Sequence, residues 1–289
     1  MLELLTEKRI QILGRPDLKS SCSGANLIGS MMSDSLARNS EVSKMGRQQR
    51  PRLTLDIADI PTYAVGDIHG RYDLLVKAEE AILRDGAQLP GRKLIVMLGD
   101  YIDRGPESAQ VISHLMDPLS DDFERICLAG NHEIAMLDYI DGWASYDDWM
   151  RMGSAELLKS YGLDPEHLPL IFPSGAKLDA FIRHSLPHTH IDFMRAMPVM
   201  LDTPDVLFVH AGIDPTVPLA AQTDEDLVLI RHRFLESRVP LPKLVVHGHT
   251  PNDEPDIRPR RLNLDTRAFR SGKLTVARFW RGQVHLFST

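Results

Sequence analysis

Short apolar runs alternate with longer amphipathic segments from about residue 53 onward. The run at 62–65 is followed by residues 71–84, in which Leu74, Leu75 and Ile82 share one face of a helix. Further runs of strand length lie at 93–98, 125–129, 206–209, 244–246, 274–280 and 283–287. The alternation predicts an α/β fold built from βαβ units, in which ligand-binding groups lie beyond the carboxyl ends of the strands.

Five of these runs each end in a short polar cluster. The clusters occupy residues 66–70, 99–105, 130–133, 210–212 and 247–250. Together they supply Asp, His, Asn and Arg, the side chains that phosphate ester hydrolysis by two metal ions requires. Any single cluster has a plainer explanation, because an Asp after a strand often caps the next helix and a lone histidine often belongs to the core. Five clusters at successive strand ends indicate a metal-dependent phosphoesterase.

Six side chains are predicted to bind two divalent metal ions: Asp67, His69, Asp100, Asn131, His210 and His249. Asp100 is assigned as the bridge, because two ions about 3.5–4 Å apart need a ligand with two oxygens. Asp67 and His69 converge on the first ion from one tight loop, and the other three ligands complete the second. This mixture of nitrogen and oxygen ligands without thiolate indicates Mn, Fe or Zn, and we expect Mn.

Four further side chains are predicted to take part in catalysis. His132 directly follows a predicted ligand and is the candidate general acid for the leaving oxygen. Asp103 is expected to hold the His132 ring and favour its protonated form. Arg104 offers a planar fork for two phosphoryl oxygens, and Arg231 is the expected second arginine. In this prediction a hydroxide bridging the two ions attacks phosphorus without a covalent intermediate.

Composition and charge narrow the possible partners. Of the 289 residues, 43 % are hydrophobic and 25 % are charged, which is ordinary for a globular protein with a sizeable core. The formal net charge of −7 argues against a nucleic-acid partner. Two divalent ions and two arginines would still make the pocket locally positive, so an anionic substrate can bind there.

The chain shows no sign of membrane attachment or export. No apolar run approaches the ~20 residues that a membrane span needs, and the N-terminal residues lack a signal-peptide pattern. The two cysteines are Cys22 and Cys127, and Cys127 lies in an apolar stretch typical of a core thiol. We therefore expect a cytoplasmic location.

The organisation along the chain is predicted in three parts. Residues 1–50 show no sustained hydrophobic period and are expected to form a disordered tail. Residues 51–289 are expected to form one catalytic domain, and within it residues 134–205 are expected to form a helical cap over the active face. Three histidines near a proline are expected to be exposed to solvent rather than to bind metal: His184, His188 and His190.

On these motifs the chain resembles the PPP-type serine/threonine protein phosphatases of the calcineurin-like metallophosphoesterase superfamily, and above all their bacterial and bacteriophage members. The resemblance spans roughly residues 60–280. It implies a central β-sandwich of two mixed sheets flanked by helices, a dinuclear metal centre and direct hydrolysis of phosphomonoesters. It also implies the six metal ligands above, with His249 rather than His247 as the last of them.

The chain departs from this family pattern at three places. Leu229-Ile230-Arg231 stands where bacterial members often have Trp-Ile-Arg. The arginine expected to bind phosphate is therefore retained, whereas the lining of the pocket beside it is expected to differ. Arg267 replaces a usual glycine, which implies strain if the backbone there needs a positive φ. Ser154 follows Gly153 where a glycine pair is common, which is a smaller change.

Three functions are compatible with these features. The leading hypothesis is a phosphatase whose partners are phosphoserine or phosphothreonine proteins and peptides, with phosphotyrosine as a further substrate class. The alternative is a symmetrical diadenosine tetraphosphate hydrolase or another metallophosphoesterase. By this resemblance, the symmetrical diadenosine tetraphosphate hydrolases lack the acidic residue present here as Asp103 and the Gly-His-Thr-Pro motif present here as residues 248–251. A catalytically inactive binding module is the third hypothesis, against which the complete set of candidate residues argues.

Overall fold

The computed structural model describes residues 11–12, 49–120, 122–172 and 174–289. The predicted disordered tail, residues 1–50, lies outside the described residues except for 11–12 and 49–50. No helix in the described ranges is long and apolar enough to cross a membrane.

The strands form two mixed sheets. One sheet has the order β12-β11-β3-β4-β5, with β3 to β5 parallel. Its strands are β3 (Thr62–Val65), β4 (Lys93–Met97), β5 (Phe123–Cys127), β11 (Thr275–Trp280) and β12 (Gln283–Ser288). The other sheet has the order β1-β2-β6-β7-β8-β10-β9. Its strands are β1 (Gln11–Ile12), β2 (Arg52–Thr54), β6 (Met200–Asp202), β7 (Val206–Val209), β8 (Leu244–His247), β9 (Asp256–Arg258) and β10 (Arg261–Asn263).

An apolar layer lies between the two sheets. Phe208 on β7 and Phe279 on β11 meet edge to face with their ring centroids 5.5 Å apart, and Ala64, Val96 and Val246 belong to the same buried cluster. A second cluster of buried side chains packs the outer faces of the sheets against helices. The predicted α/β sandwich of two mixed sheets flanked by helices is therefore confirmed.

Eleven α-helices are present in the described residues. They are α1 (Tyr72–Gly86), α2 (Ser108–Met116), α3 (Asn131–Ile140), α4 (Tyr146–Met150), α5 (Ala155–Ser160), α6 (Leu168–Ile171), α7 (Gly175–Ser185), α8 (His188–Ala196), α9 (Asp224–Leu229), α10 (His232–Leu235) and α11 (Ala268–Ser271). In α1 the predicted apolar face of Leu74, Leu75 and Ile82 is buried, together with Ala78. Helices α3 to α8 occupy most of residues 134–205, whereas Met200–Asp202 is a strand.

One exposure prediction among the histidines is wrong. His190 is only 9 % exposed, while His184 and His188 are exposed as expected. The Nδ1 atom of His190 lies 2.8 Å from the Tyr161 hydroxyl oxygen, and its Nε2 lies 3.3 Å from Ser113 Oγ. A partner on each ring nitrogen makes burial of this histidine favourable, and these partners come from distant parts of the sequence.

Candidate active site

The five polar clusters meet at the carboxyl ends of strands from both sheets. Asp67 and His69 follow β3, Asp100, Asp103 and Arg104 follow β4, Asn131 and His132 follow β5, His210 follows β7, and His249 follows β8. Three strands of one sheet and two of the other therefore deliver the predicted site residues to one place.

The loops that carry these residues have strained backbones. Eight described residues other than glycine have a positive φ, and five of them are predicted site residues: His69, Asp100, Asp103, Arg104 and His249. Left-handed backbone costs a non-glycine residue roughly 1–2 kcal/mol, so the surrounding structure must enforce it. At Gly248 a Cβ would lie 1.9 Å from Asp67 Oδ1, so only glycine allows the chain to pass this close to the carboxylate.

The Glu133 side chain forms hydrogen bonds with two of these loops. Its buried carboxylate accepts backbone N–H bonds from Asp100 at 2.9 Å, Tyr101 at 2.8 Å and Gly130 at 2.9 Å. The first two donors belong to the loop after β4, and the third to the loop after β5. Glu133 was assigned no role of its own from the sequence. Its position three residues after a glycine is a capping signal and does not reveal the contact with the neighbouring loop.

Two groups of buried side chains place their ligand atoms close together. Within each group these atoms lie within 4.8 Å of one another; one group is His69, Asp100 and His132, and the other is Asp100, His210 and His249. Asp100 is common to both, as a bridging ligand must be. Its Oδ2 lies 3.6 Å from His69 Nε2, and its Oδ1 lies 3.3 Å from His210 Nε2.

The two other predicted ligands border these groups. Asn131 Oδ1 lies 3.1 Å from His210 Nε2. Asp67 belongs to neither three-residue group, but its carboxylate accepts the backbone N–H of His249 at 3.1 Å. Burial and the nearby Asp265 carboxylate raise the pKa of Asp67 well above its usual range. His132, predicted as a general acid, lies within the first group.

The histidines present suitable donor atoms to cations. His69 Nδ1 lies 2.9 Å from the Ile102 carbonyl oxygen, and His210 Nδ1 lies 2.8 Å from the Leu98 carbonyl oxygen. A carbonyl oxygen can only accept, so each Nδ1 donates and each Nε2 faces the site. Burial lowers the pKa of His69 to about 3, so its ring is neutral at Nε2 as a metal ligand requires.

The charge at the centre also suits cations. Burial alone would lower the pKa of His210, but the Asp100 and Asp67 carboxylates raise it to about 10. These surroundings therefore strongly favour a positive charge beside the carboxylates. The nitrogen and oxygen donors fit divalent metal ions, which Asp67, His69, Asp100, Asn131, His210 and His249 would hold.

The predicted acid and its carboxylate form a close pair. His132 Nδ1 lies 2.6 Å from Asp103 Oδ2, and both side chains are almost completely buried. Burial alone would lower the pKa of His132, but the Asp100 and Asp103 carboxylates raise it. This raised pKa is in the direction that the general-acid assignment requires.

Two exposed arginines border this centre. Arg104 Nη1 lies 3.0 Å from His69 Nε2, and its Nη2 lies 3.1 Å from His132 Nε2. Arg231 Nε donates to His249 Nε2 at 3.0 Å. Each guanidinium thus lies next to one of the two ligand groups, on the solvent side.

A two-sheet α/β fold with clustered Asp, His and Asn at its strand ends, flanked by arginines, defines a metal-dependent phosphoesterase. The sequence model of the calcineurin-like phosphoesterase family, Metallophos, matches residues 60–276, and the chain belongs to that family.

Three curated relatives act on different phosphate compounds. The chain is 25 % identical over 238 residues to the asymmetrical bis(5'-nucleosyl)-tetraphosphatase PrpE of Oceanobacillus iheyensis, covering 74 % of this chain and 87 % of that protein. It is 26 % identical over 160 residues to the zinc-dependent endopolyphosphatase of Saccharomyces cerevisiae, covering 52 % of this chain and 46 % of that protein. It is 35 % identical over 81 residues to the symmetrical bis(5'-nucleosyl)-tetraphosphatase of Cronobacter sakazakii, covering 28 % and 26 %. The matches span less than half of two of these relatives.

A solved structure shares the fold. A crystal structure provisionally described as that of a diadenosine tetraphosphatase superposes with a TM-score of 0.56, at 21 % identity, covering 81 % of this chain and 96 % of that chain. At this level of identity the similarity concerns the fold alone.

Proposed function

We propose that the protein hydrolyses phosphomonoesters of serine and threonine side chains in proteins or peptides. The observation that carries this proposal is the buried pair of His132 and Asp103, with 2.6 Å between Nδ1 and Oδ2. A serine or threonine alkoxide is a strongly basic leaving group, so its departure depends on a protonated acid. A dinucleotide polyphosphate releases a weakly basic phosphate oxygen, for which a general acid gives little advantage.

The remaining roles follow from position. Arg104 and Arg231 bind phosphoryl oxygens through their N–H groups, and Arg104 lies beside the proposed acid. Asp103 keeps the His132 ring oriented with Nε2 toward the leaving oxygen. Divalent ions, when bound, would supply the Lewis acidity that lowers the pKa of water and offsets phosphate charge.

A second candidate function is hydrolysis of dinucleoside polyphosphates. The observation that favours it is the similarity to the asymmetrical tetraphosphatase of O. iheyensis over 74 % of this chain. In that case Arg104 and Arg231 would bind the polyphosphate chain, and His132 would contribute little to the rate.

One experiment separates the two candidates. Phosphate release from phosphoserine and phosphothreonine peptides and product formation from diadenosine tetraphosphate are measured on one preparation, with and without added Mn²⁺. We expect metal-dependent release from the peptides. Turnover of the dinucleotide with the peptides untouched would replace the first proposal by the second.

The cofactor, partner and location are proposals of the same kind. We propose two divalent ions, with Mn²⁺ as the native metal, phosphorylated proteins as partners, and a cytoplasmic location consistent with the buried free thiol of Cys127. Because a relative is zinc-dependent, Zn²⁺ is the competitor to test. Metal analysis of protein purified without added metal, followed by chelation and reloading with each ion, identifies the active form.

A further inference from the structure

Phe269 on α11 lies at the edge of the candidate site, although the sequence analysis assigned it no role. The Arg104 guanidinium carbon lies 5.1 Å from the centroid of the Phe269 ring, within cation–π range. The same ring meets the His69 ring edge to face, with centroids 5.5 Å apart. Phe269 therefore contacts both a proposed phosphate-binding residue and a predicted metal ligand.

The short helix α11 is held from both sides. Arg267, with φ of 55°, begins the helix, and its backbone N–H donates to Asp265 Oδ1 at 2.9 Å. Ala268 is buried, and its carbonyl oxygen accepts from Arg71 Nη1 at 3.0 Å. The backbone that carries the half-buried Phe269 ring is therefore held on both sides.

An aromatic face suits Arg104 better than a carboxylate would. The Arg104 side chain is exposed, so its long aliphatic stem would otherwise sample many rotamers. A carboxylate partner would restrict it but would occupy the N–H groups that phosphate needs. The face of a ring restricts the guanidinium without itself occupying any of its N–H groups, because the contact is made through the plane of the group.

We propose that Phe269 is a positioning residue that holds the Arg104 guanidinium in place to bind a phosphoryl group. The inference rests on the proposed role of Arg104 in phosphate binding. The proposed role depends on an aromatic ring at this position. Another aromatic residue should therefore preserve phosphate binding, whereas an aliphatic residue should weaken it.

The test measures binding of inorganic phosphate by calorimetry and the KM and kcat for a phosphopeptide, on metal-loaded protein. We expect Phe269→Leu to weaken phosphate binding about two- to fivefold and to raise KM similarly, with a smaller change in kcat. Phe269→Tyr should retain wild-type values. Phe287→Leu, which removes another half-buried ring on β12 away from the site, is the matched control and should also behave as wild type.

A double-mutant cycle with Arg104→Ala decides between positioning and general structural damage. If Phe269 acts through Arg104, Phe269→Leu has no further effect on phosphate binding in the Arg104→Ala background. Additive losses, or unchanged phosphate binding in Phe269→Leu alone, would overturn the inference. Wild-type phosphate affinity in Arg104→Ala would instead refute the proposed role of Arg104, so the two failures are distinguishable.

Discussion

Asp100 and Asp103 are both buried, yet their surroundings suit them to different tasks. Burial opposes ionisation of each, but at Asp100 the neighbouring His210 and His132 rings outweigh burial and hold its pKa well below the usual range. At Asp103 burial outweighs its hydrogen bond to His132 and raises the pKa. Asp100 therefore remains a carboxylate for cations, whereas Asp103 forms a pair with the His132 ring.

Replacing Asp100 tests the bridging assignment. Asp100→Asn keeps the shape of the side chain but removes the charge shared by both ligand groups. We expect metal content to fall and activity to drop by orders of magnitude, roughly hundredfold or more. Metal analysis together with phosphatase assay measures both effects, and Asp59→Asn, an exposed carboxylate, is the control. Full metal content with full activity would show that Asp100 does not bridge.

At the scale of elements, the sequence predicted the strands that end in site motifs, and their bounds agree with the structure to within a few residues. Strands β1, β2, β6, β9 and β10 were missed, because each has at most three residues. The contacts of Glu133 and Phe269 were missed for a different reason: they join loops distant in sequence. Local patterns reveal which residues carry chemistry but not which neighbours hold them in place.

The turn before α11 has the positive φ that was expected to strain Arg267, which stands in place of a usual glycine. Arg267 adopts φ of 55° and ψ of 48°, where the family usually has glycine. Its side chain offsets part of the cost by donating to Asp253 Oδ1 and the Pro251 carbonyl oxygen, both at 3.1 Å. The substitution is thus accommodated without removing the left-handed backbone.

A matched pair of variants separates strain from side-chain contacts. Arg267→Ala and Arg267→Gly both lose the contacts to Asp253 and Pro251, but only glycine relieves the backbone. We expect the glycine variant to be more stable than the alanine variant by about 1 kcal/mol in urea unfolding. Equal stability of the two variants would indicate that the turn is not strained.

Across the whole molecule, Asp85 joins the C-terminal hairpin to the helical layer. Its carboxylate, at the end of α1, accepts from Arg278 Nη1 on β11 at 2.6 Å and from the Tyr63 hydroxyl on β3 at 2.6 Å. Burial alone would raise the pKa of Asp85, but the bonds from Tyr63 and Arg278 lower it. A lowered pKa means that the folded protein favours the ionised carboxylate.

This link predicts a pH-dependent contribution to stability. Because the folded-state pKa is below the unfolded value of about 3.9, the contribution is complete above that pH and is lost as the pH falls through the folded pKa. We expect Asp85→Asn to cost about 1 kcal/mol at pH 7, after allowance for solvent screening. Urea unfolding of metal-free wild-type and Asp85→Asn protein is measured from pH 7 to pH 3. The difference between their free energies of unfolding should decrease only at the acidic end. A difference in unfolding free energy that stays constant over this pH range would contradict the role of the Asp85 charge.

The decisive variant is His132→Asn, because His132 lies among ligand atoms yet is assigned to proton donation. Metal content and turnover are determined for phosphate esters whose leaving alcohols differ in acidity. We expect both ions to be retained and turnover to fall, most severely for the least acidic alcohols. Loss of an ion from His132→Asn, or an equal loss of rate for all leaving groups, would contradict the assignment of His132 as the general acid.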